Sequence, residues 1–406
     1  MPPYGQIVVV GASLAGLSAA EALRAEGYDG TVVMVGAESL PPYDRPPLSK
    51  QVLAGVWEPE RTTLRDADTW AALDLELHLG REATGLDTAN RAIQLDDRSA
   101  LHFDGVIIAT GATPRQLPDM PPLQGIHTLR TLGDCLAIRA AFDSGGRVVV
   151  VGAGFIGLEV AATAHERGLA VTVLEALAVP LERVVGADMG LAIRNFQRRR
   201  GVDLRCNAPV AEFLGGERVE AVRLDDGTEI AADAVIVGVG VMPNTAWLAG
   251  SGIRVGDGVI CDAHCATSVP GIYAAGDVAR WYNPLFEQEI RVEHWTNAVE
   301  QGRVAGKNLL SGTEASVPYA PVPSFWSDQF DRKIQFAGHV DATDEVRVVH
   351  GTPESERFVT LYGRAGRLVA VLTMSWPRHF ATYSQLIARS TSWDDALAHA
   401  AQVMQG

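Results

Sequence analysis

The sequence predicts an α/β chain with two Rossmann-like dinucleotide-binding domains, followed by a C-terminal segment of strands and helix. Three observations predict it. Val8-Val9-Val10-Gly11-Ala12-Ser13-Leu14-Ala15-Gly16-Leu17 and Val149-Val150-Val151-Gly152-Ala153-Gly154-Phe155-Ile156-Gly157-Leu158 repeat one pattern. Each repeat runs on to a second apolar strand that leads to an acid, Glu38 or Glu175. Further apolar runs, Gly105 to Gly111 and Ala234 to Gly240, return at matching places after each repeat.

The β-branched start of each repeat reads as a parallel strand buried on both faces. The glycine turn leads into an alanine-rich helix, which ends near Gly27 or Gly168. Thr31 to Val35 and Ala170 to Leu174 are the second strands. This is the βαβ dinucleotide fingerprint twice over. Its first glycine makes the tight turn, its second admits a pyrophosphate, and its third lets helix pack on strand. The phosphates face the positive end of the helix dipole, and the distal acid accepts hydrogen bonds from ribose hydroxyls. The second copy, Gly152-x-Gly154-x-x-Gly157, is complete, whereas Ser13 replaces the middle glycine of the first. A slightly displaced phosphate contact is the expected result. A single such turn is often only a turn, but two copies with strand, helix, strand and acid point to two dinucleotides.

Composition excludes other classes. The chain has 406 residues, enough for two or three domains, with 47% hydrophobic and 20% charged residues, as in globular proteins. With 34 basic and 49 acidic residues its net charge is −15, which disfavours nucleic acid and anionic membranes as partners of its overall field. Cys135, Cys206, Cys261 and Cys265 form no CxxC pair, so neither a disulfide framework nor a zinc site is expected, and reduced thiols in a cytoplasmic protein are. Ile7 to Ala20 is apolar like a signal peptide core, but no basic residue precedes it.

Five further segments carry a resemblance: Pro42-Tyr43-Asp44-Arg45-Pro46-Pro47-Leu48-Ser49-Lys50, Ala109-Thr110-Gly111-Ala112-Thr113-Pro114-Arg115, Ala274-Ala275-Gly276-Asp277-Val278-Ala279, Glu293-His294-Trp295, and Phe325-Trp326-Ser327-Asp328-Gln329. With the two repeats they make the chain resemble the pyridine nucleotide-disulfide reductase superfamily. Within it the likeness is to the NADH-dependent ferredoxin reductases of cytochrome P450 and Rieske oxygenase systems. The resemblance implies FAD on the first repeat and NAD on the second, with the NAD domain inserted into the FAD domain. Expected boundaries are 1–112 and 245–320 for FAD, 113–244 for NAD, and 321–406 for an α+β interface domain. In that last segment Glu345 to Val349 and Arg367 to Leu372 read as strands, and Trp393 to Met404 as helix.

For the flavin, the resemblance implies Gly11, Ser13, Leu14, Ala15, Gly16, Glu38, Arg45, Lys50, Ala83, Ala109, Thr110, Gly111, Arg130, Gly276, Asp277, Glu293, His294, Trp295 and Trp326. For NAD it implies Gly152, Gly154, Phe155, Ile156, Gly157, Glu159, Glu175 and Gly240. Asp277 also reads as a helix N-cap.

Hydride transfer between nicotinamide and flavin needs no protein nucleophile; the protein supplies geometry and field. The resemblance implies that Lys50, one of three lysines with Lys307 and Lys333, pairs with Glu159 beside the flavin, where a cation favours the anionic reduced form. The plain alternative is a surface lysine and a solvated glutamate. Pro41 to Trp57 holds no cysteine, so a flavin–thiol relay is not expected, and a one-electron [2Fe-2S] ferredoxin is the natural acceptor. Glu175, followed by Ala176-Leu177-Ala178 with no arginine, favours NADH over NADPH. Trp326 either shortens the electron path or is interface bulk. The resemblance places Arg65, Arg303, Lys307, Arg332 and Lys333 near the face that docks an acidic ferredoxin, whereas Arg198-Arg199-Arg200 reads as a complement to a helix dipole. An NADH oxidase, a rubredoxin reductase or a redox-controlled binding protein like apoptosis-inducing factor are the alternatives, with the chain a monomer or homodimer.

Overall fold

The computed structural model describes residues 4–403. Early in the chain lie β1 (Gln6–Val10), α1 (Leu14–Ala25), β2 (Thr31–Gly36), β3 (Leu75–Leu79) and β4 (Gly105–Ile108). Then come α2 (Leu132–Asp143), β5 (Arg147–Val151), α3 (Phe155–Glu166), β6 (Ala170–Leu174), α4 (Glu182–Arg199), β7 (Asp203–Arg205) and β8 (Ala234–Val237). After β9 (Ile272–Ala274) and α5 (Trp295–Ala315) follow β10 (Ser324–Gln329), β11 (Arg332–Gly338), β12 (Glu345–Thr352), β13 (Arg357–Arg364) and β14 (Arg367–Met374). The chain closes with α6 (Pro377–Ala388) and α7 (Trp393–Val403); Met404, the last residue expected in that helix, lies outside the described residues.

Two compact units result. One holds the chain up to Asp44, Thr62–Thr113 and Met242–Pro323; the other holds Arg45–Arg61, Pro114–Val241 and the chain from Ser324 onward.

The first unit is built on a parallel sheet in the order β9-β4-β1-β2-β3. Val8 faces Val33 on one side and Val106 on the other, so β1 is the central strand. Its Ile7, Val8 and Val9 are fully buried, each contributing about 1.5–3 kcal/mol of apolar transfer. Helix α1 ends at Ala25 and Gly27 follows with φ +82, the left-handed position that favours glycine. Helix α5 packs on α1 with backbone nearly touching backbone. A Cβ at Gly302 would stand 2.4 Å from the Ala15 carbonyl oxygen, and one at Gly306 2.7 Å from that of Ala19.

The second unit repeats the plan in a parallel sheet β7-β6-β5-β8, extended by the short strand Ile126–His127. Its C-terminal part is an antiparallel sheet in the order β10-β11-β14-β13-β12, with α6 against β14 and β11. The sequence reading found β12 and β14 but not β10, β11 and β13. Tyr362 on β13 donates to the Val185 carbonyl at 2.8 Å.

Arg198, Arg199 and Arg200 stand at the C-terminal end of α4, where they complement the helix dipole, and they also make specific bonds. Arg198 bonds the Leu204 carbonyl at 2.6 Å, while Arg199 and Arg200 clasp Glu356 at 3.1 and 2.7 Å, and Arg200 also reaches Asp331 at 2.5 Å. They tie the end of α4 to the C-terminal sheet.

Under that sheet His350 is 4% exposed, bonds Tyr383 Oη through Nε2 at 2.8 Å and stacks on His379 at 4.5 Å. Burial, then the charges of His379 and His399, hold His350 below the usual histidine range; burial, then Arg357 and His399, do the same to His379. Both native imidazoles therefore resist protonation more than the unfolded chain does. As pH falls below about 6.5, the unfolded state takes up more protons and stability drops. We expect the melting temperature to fall between pH 7 and 5, and His379→Gln to reduce that slope, measured by calorimetry.

Candidate active site

Helices α1 and α3 begin in the same way, each straight after the glycine turn that follows a parallel strand. Their N-caps, Ser13 and Gly154, make no side-chain capping bond, and neither first turn holds an acid. By contrast α2 begins with a capping box of Thr131 and Asp134, and the short helix Ala67–Leu73 is capped by Asp66. The exposed N–H groups and positive dipole ends of α1 and α3 suit a phosphate.

The glycines separate what the fold needs from what a ligand needs. A Cβ at Gly16 would stand 2.0 Å from the Gly11 carbonyl oxygen, and one at Gly157 2.3 Å from that of Gly152. These glycines are required by the turn itself. Gly154 is different: its φ is −73, and the nearest atom to a Cβ there is 4.0 Å away. Nothing in the protein asks for glycine at that position, so the open space fits a pyrophosphate against the start of α3.

Glu175 reaches this turn. Its carboxylate accepts from the Ala153 N–H and the Leu177 N–H, both at 2.9 Å. Charge-assisted bonds of this type contribute roughly 1.5–3 kcal/mol each. They aim the acid at the turn and leave lone pairs for a diol. Phe155 and Ile156 lie at the start of α3, Ile156 exposed, and the Gly240 carbonyl accepts from the Arg115 N–H at 2.8 Å.

In the first unit, Glu38 at the end of β2 accepts from Tyr43 Oη at 2.6 Å. Thr110 and Asn244 bond each other twice, at 2.9 and 2.8 Å, and Asn244 N–H bonds the Gly111 carbonyl. Leu14 and Ala15 open α1, Ala109 follows β4, and Ala83 sits in a separate small antiparallel sheet. Gly276, φ +77, donates to Gln301 Oε1 at 2.9 Å. Asp277 is not an N-cap: it lies within the single 3₁₀ turn Gly276–Val278, whose cap is Ala275. Glu293 pairs with Arg291 at 2.6 Å, and Trp295 Nε1 donates to Asp44 at 2.7 Å. Burial pushes the His294 imidazole down to about 4, so it is neutral at pH 7.

The second unit contains Lys50 and Glu159 and joins them. Lys50 Nζ stands 2.8 Å from Glu159 Oε2, with side chains 12% and 5% exposed, so neither is a solvated surface group. Ser49 donates to the same carboxylate at 2.5 Å and Ser327 to its other oxygen at 2.7 Å. Arg45 donates to the Arg130 carbonyl at 2.7 Å, and Lys333 Nζ lies 5.9 Å from the Trp326 ring centre. Sequence reasoning assigned no role to Ser49 or Ser327. The alternation of Phe325, Ser327 and Gln329 with Trp326 in one strand was the available signal. It also missed Cys135, which is remote in sequence from Pro41–Trp57 yet donates to the Leu48 carbonyl. Burial pushes this thiol up to about 11, so it is no nucleophile at neutral pH.

Among the described residues no group of His, Cys, Asp and Glu is arranged to hold a metal, and no helix is long and apolar enough to cross a membrane. Residues 5–302 match the family model for pyridine nucleotide-disulphide oxidoreductases, and residues 324–404 that for the reductase C-terminal domain. The chain belongs to the pyridine nucleotide-disulphide oxidoreductase family.

Relatives within this oxidoreductase family span nearly the whole chain. Putidaredoxin reductase of Pseudomonas putida is 35% identical over 94% of this chain and 91% of its own. The ferredoxin–NAD(+) reductase component of the biphenyl dioxygenase system of Paraburkholderia xenovorans is 38% identical over 95% and 94%. The crystal structure of the covalent putidaredoxin reductase–putidaredoxin complex aligns with a TM-score of 0.90 at 35% identity, over 95% of this chain and 93% of that one. As a member of the family the chain is an oxidoreductase that works with a pyridine nucleotide and a flavin.

The glycine geometry makes a sharp contrast testable. Gly154→Val should fold with a melting temperature within about 2 °C of wild type, because its Cβ meets open space, yet weaken NADH binding at least roughly tenfold. Gly157→Val should unfold the unit. Calorimetry and NADH titration measure the two effects.

Proposed function

We propose that the chain is an FAD-dependent NADH:ferredoxin reductase that passes electrons one at a time to a [2Fe-2S] ferredoxin serving a P450 or Rieske oxygenase. The observation that carries this reading is the pair of uncapped glycine turns, one in each unit, in a chain whose relatives over nine-tenths of its length are reductases of such systems. FAD belongs to the first turn (1–112 and 245–320) and NADH to the second (113–244), with 321–406 as the interface domain. A bound flavin supplies the conversion of a two-electron donor into single electrons.

The chain's own residues do the rest. The N–H groups at the start of α1 and α3 bind phosphates, and Glu38 and Glu175 take ribose hydroxyls. The Lys50 ammonium, held by Glu159, supplies positive charge that favours a reduced, anionic flavin. Buried Cys135, Cys261 and Cys265 all have raised pKa values, which supports direct outward electron flow over a thiol relay. The reading places the chain in the cytoplasm.

Most of the candidate docking cations already hold acids. Arg65 meets Glu21 at 2.5 Å, Lys307 meets Glu26 at 2.8 Å, Arg332 meets Asp331 at 2.8 Å and Lys333 meets Asp328 at 3.1 Å. Arg303 is exposed and makes no such pair among the described residues. A docking role therefore falls first to Arg303, and Arg303→Glu should slow ferredoxin reduction with NADH reduction of the flavin unchanged.

Stopped-flow mixing with NADH and then with a [2Fe-2S] ferredoxin tests the reading. We expect fast bleaching of a yellow protein followed by ferredoxin reduction that slows with added salt. Rapid reaction with oxygen and none with ferredoxin would favour an NADH oxidase instead. kcat/KM should favour NADH over NADPH by at least tenfold, and Glu175→Ala should erase most of that preference; equal values for the two nucleotides in the wild type overturn the assignment of Glu175.

A further inference from the structure

Behind Glu159 runs a line of buried polar side chains. Gln197 Nε2 donates to Gln329 Oε1 at 2.8 Å, Gln329 Nε2 to Ser327 Oγ at 3.0 Å, and Ser327 Oγ to Glu159 Oε1 at 2.7 Å. Gln197, Gln329 and Ser327 are fully buried. We infer that Ser327 and Gln329 are positioning residues for the Lys50–Glu159 pair, acting through this one-way hydrogen-bond chain. The inference rests on the reading above, in which that pair sets the charge presented to the flavin.

The direction of the chain follows from valence. A carboxylate only accepts, and Ser327 has one proton, which must go to Glu159. Ser327 Oγ can then only accept, so Gln329 turns its NH₂ toward it and its carbonyl toward Gln197. Gln197 must in turn donate. Its own Oε1 is left with no hydrogen-bond partner among the described residues. The orientation is fixed all the same, because turning the amide over would set its oxygen against the Gln329 carbonyl oxygen and lose that link. Reversing the chain requires a proton on Glu159 and rotation of two amides inside a packed core. Polarised chains of this kind strengthen one another.

The strand is also in step with the helix. On β10, Phe325 and Ser327 are two residues apart, about 6.7 Å. On α3, Phe155 and Glu159 are four apart, about 6 Å. Phe325 meets the Phe155 ring edge-on at 4.5 Å while Ser327 meets Glu159, so one apolar and one polar contact fix the register. Trp326 and Asp328 point to the other face. The charged groups nearby are accounted for: Lys50 bonds Glu159, Asp328 and Lys333 bond each other at 3.1 Å, and His165 packs on Phe330. A buried polar line of this length is no more stabilising than an apolar one, which favours a role in setting Glu159.

The test combines three readouts on Ser327→Ala, Ser327→Thr and Gln329→Met, with Lys50→Ala as reference. These are the flavin midpoint potential against pH, the pH profile of reduction by NADH, and the isotope-edited infrared carboxyl band of Glu159, assigned with Glu159→Gln. In Ser327→Ala the infrared carboxylate band assigned to Glu159 should move from its wild-type frequency, because one oxygen has lost its hydroxyl donor, and the flavin midpoint potential and the pH profile of NADH reduction should move with it. Ser327→Thr should restore wild-type behaviour, and Gln329→Met should shift in the same direction by less. Wild-type infrared and pH behaviour in both Ser327→Ala and Gln329→Met overturns the inference. Should Lys50→Ala leave potential and NADH reduction unchanged, the reading of the pair fails, and the infrared band still decides whether the chain sets Glu159.

Discussion

The structure depends on two helices that start with nothing of their own to satisfy their first backbone N–H groups. A helix start without a side-chain cap costs from a few tenths of a kcal/mol, with glycine at the cap, to about 1 kcal/mol, and α1 and α3, at Ser13 and Gly154, are two such starts. Both follow a central parallel strand buried on both faces, and both are pressed against the preceding turn by a glycine, Gly16 or Gly157, that admits no side chain. The apolar sheets hold these helix ends in place, which suits them to the phosphates proposed for them. The acids at the ends of β2 and β6 complete each place, Glu175 through its grip on the Ala153 N–H.

The second organising feature is one carboxylate away from water. Glu159 gathers an ammonium, two hydroxyls and, through one of them, two amides. An unpaired ion there would be costly; fully bonded, it fixes the positions of its neighbours. It also joins segments far apart in sequence: Ser49-Lys50, α3 and β10. The arginines at the end of α4 do the same for Glu356 and Asp331. Polar contacts, not only apolar ones, hold the C-terminal sheet in its unit.

Much of this was legible in the residues. The repeated Val-Val-Val-Gly pattern carries the parallel strands because burial on both faces demands unbroken β-branched runs. Gly27 and Gly168 mark helix ends because they alone take the left-handed turn without cost. The Lys50–Glu159 contact was reached only through resemblance, since no periodicity links residues 109 apart. Ser49, Ser327, Gln329 and Gln197 were invisible as a set. Each is an ordinary polar residue, and their meaning lies in contacts between elements whose packing the sequence does not spell out. Strand β10 escaped notice because Trp, Ser, Asp and Gln break its apolar pattern, and β11 because only Ile334 and Phe336 alternate in it, whereas β13 carries a buried run, Phe358 to Tyr362, that was passed over. The arginine triplet stands at a helix end as expected, but the acids that Arg199 and Arg200 also hold lie more than 130 residues downstream, where no local pattern shows them.

The embrace of α1 by α5 has a consequence for biosynthesis. The strand that borders β4, and the helix whose glycines lie on Ala15 and Ala19, come from residues 272–315, so the first unit is unfinished until that stretch has left the ribosome. The parallel sheet between residues 126 and 237, by contrast, has all its strands and its own apolar cluster within one continuous stretch. The nascent chain therefore completes an internal piece before the part that begins it. During that interval the apolar faces of β1 and α1 are uncovered, and this is when the growing polypeptide most needs shielding from aggregation.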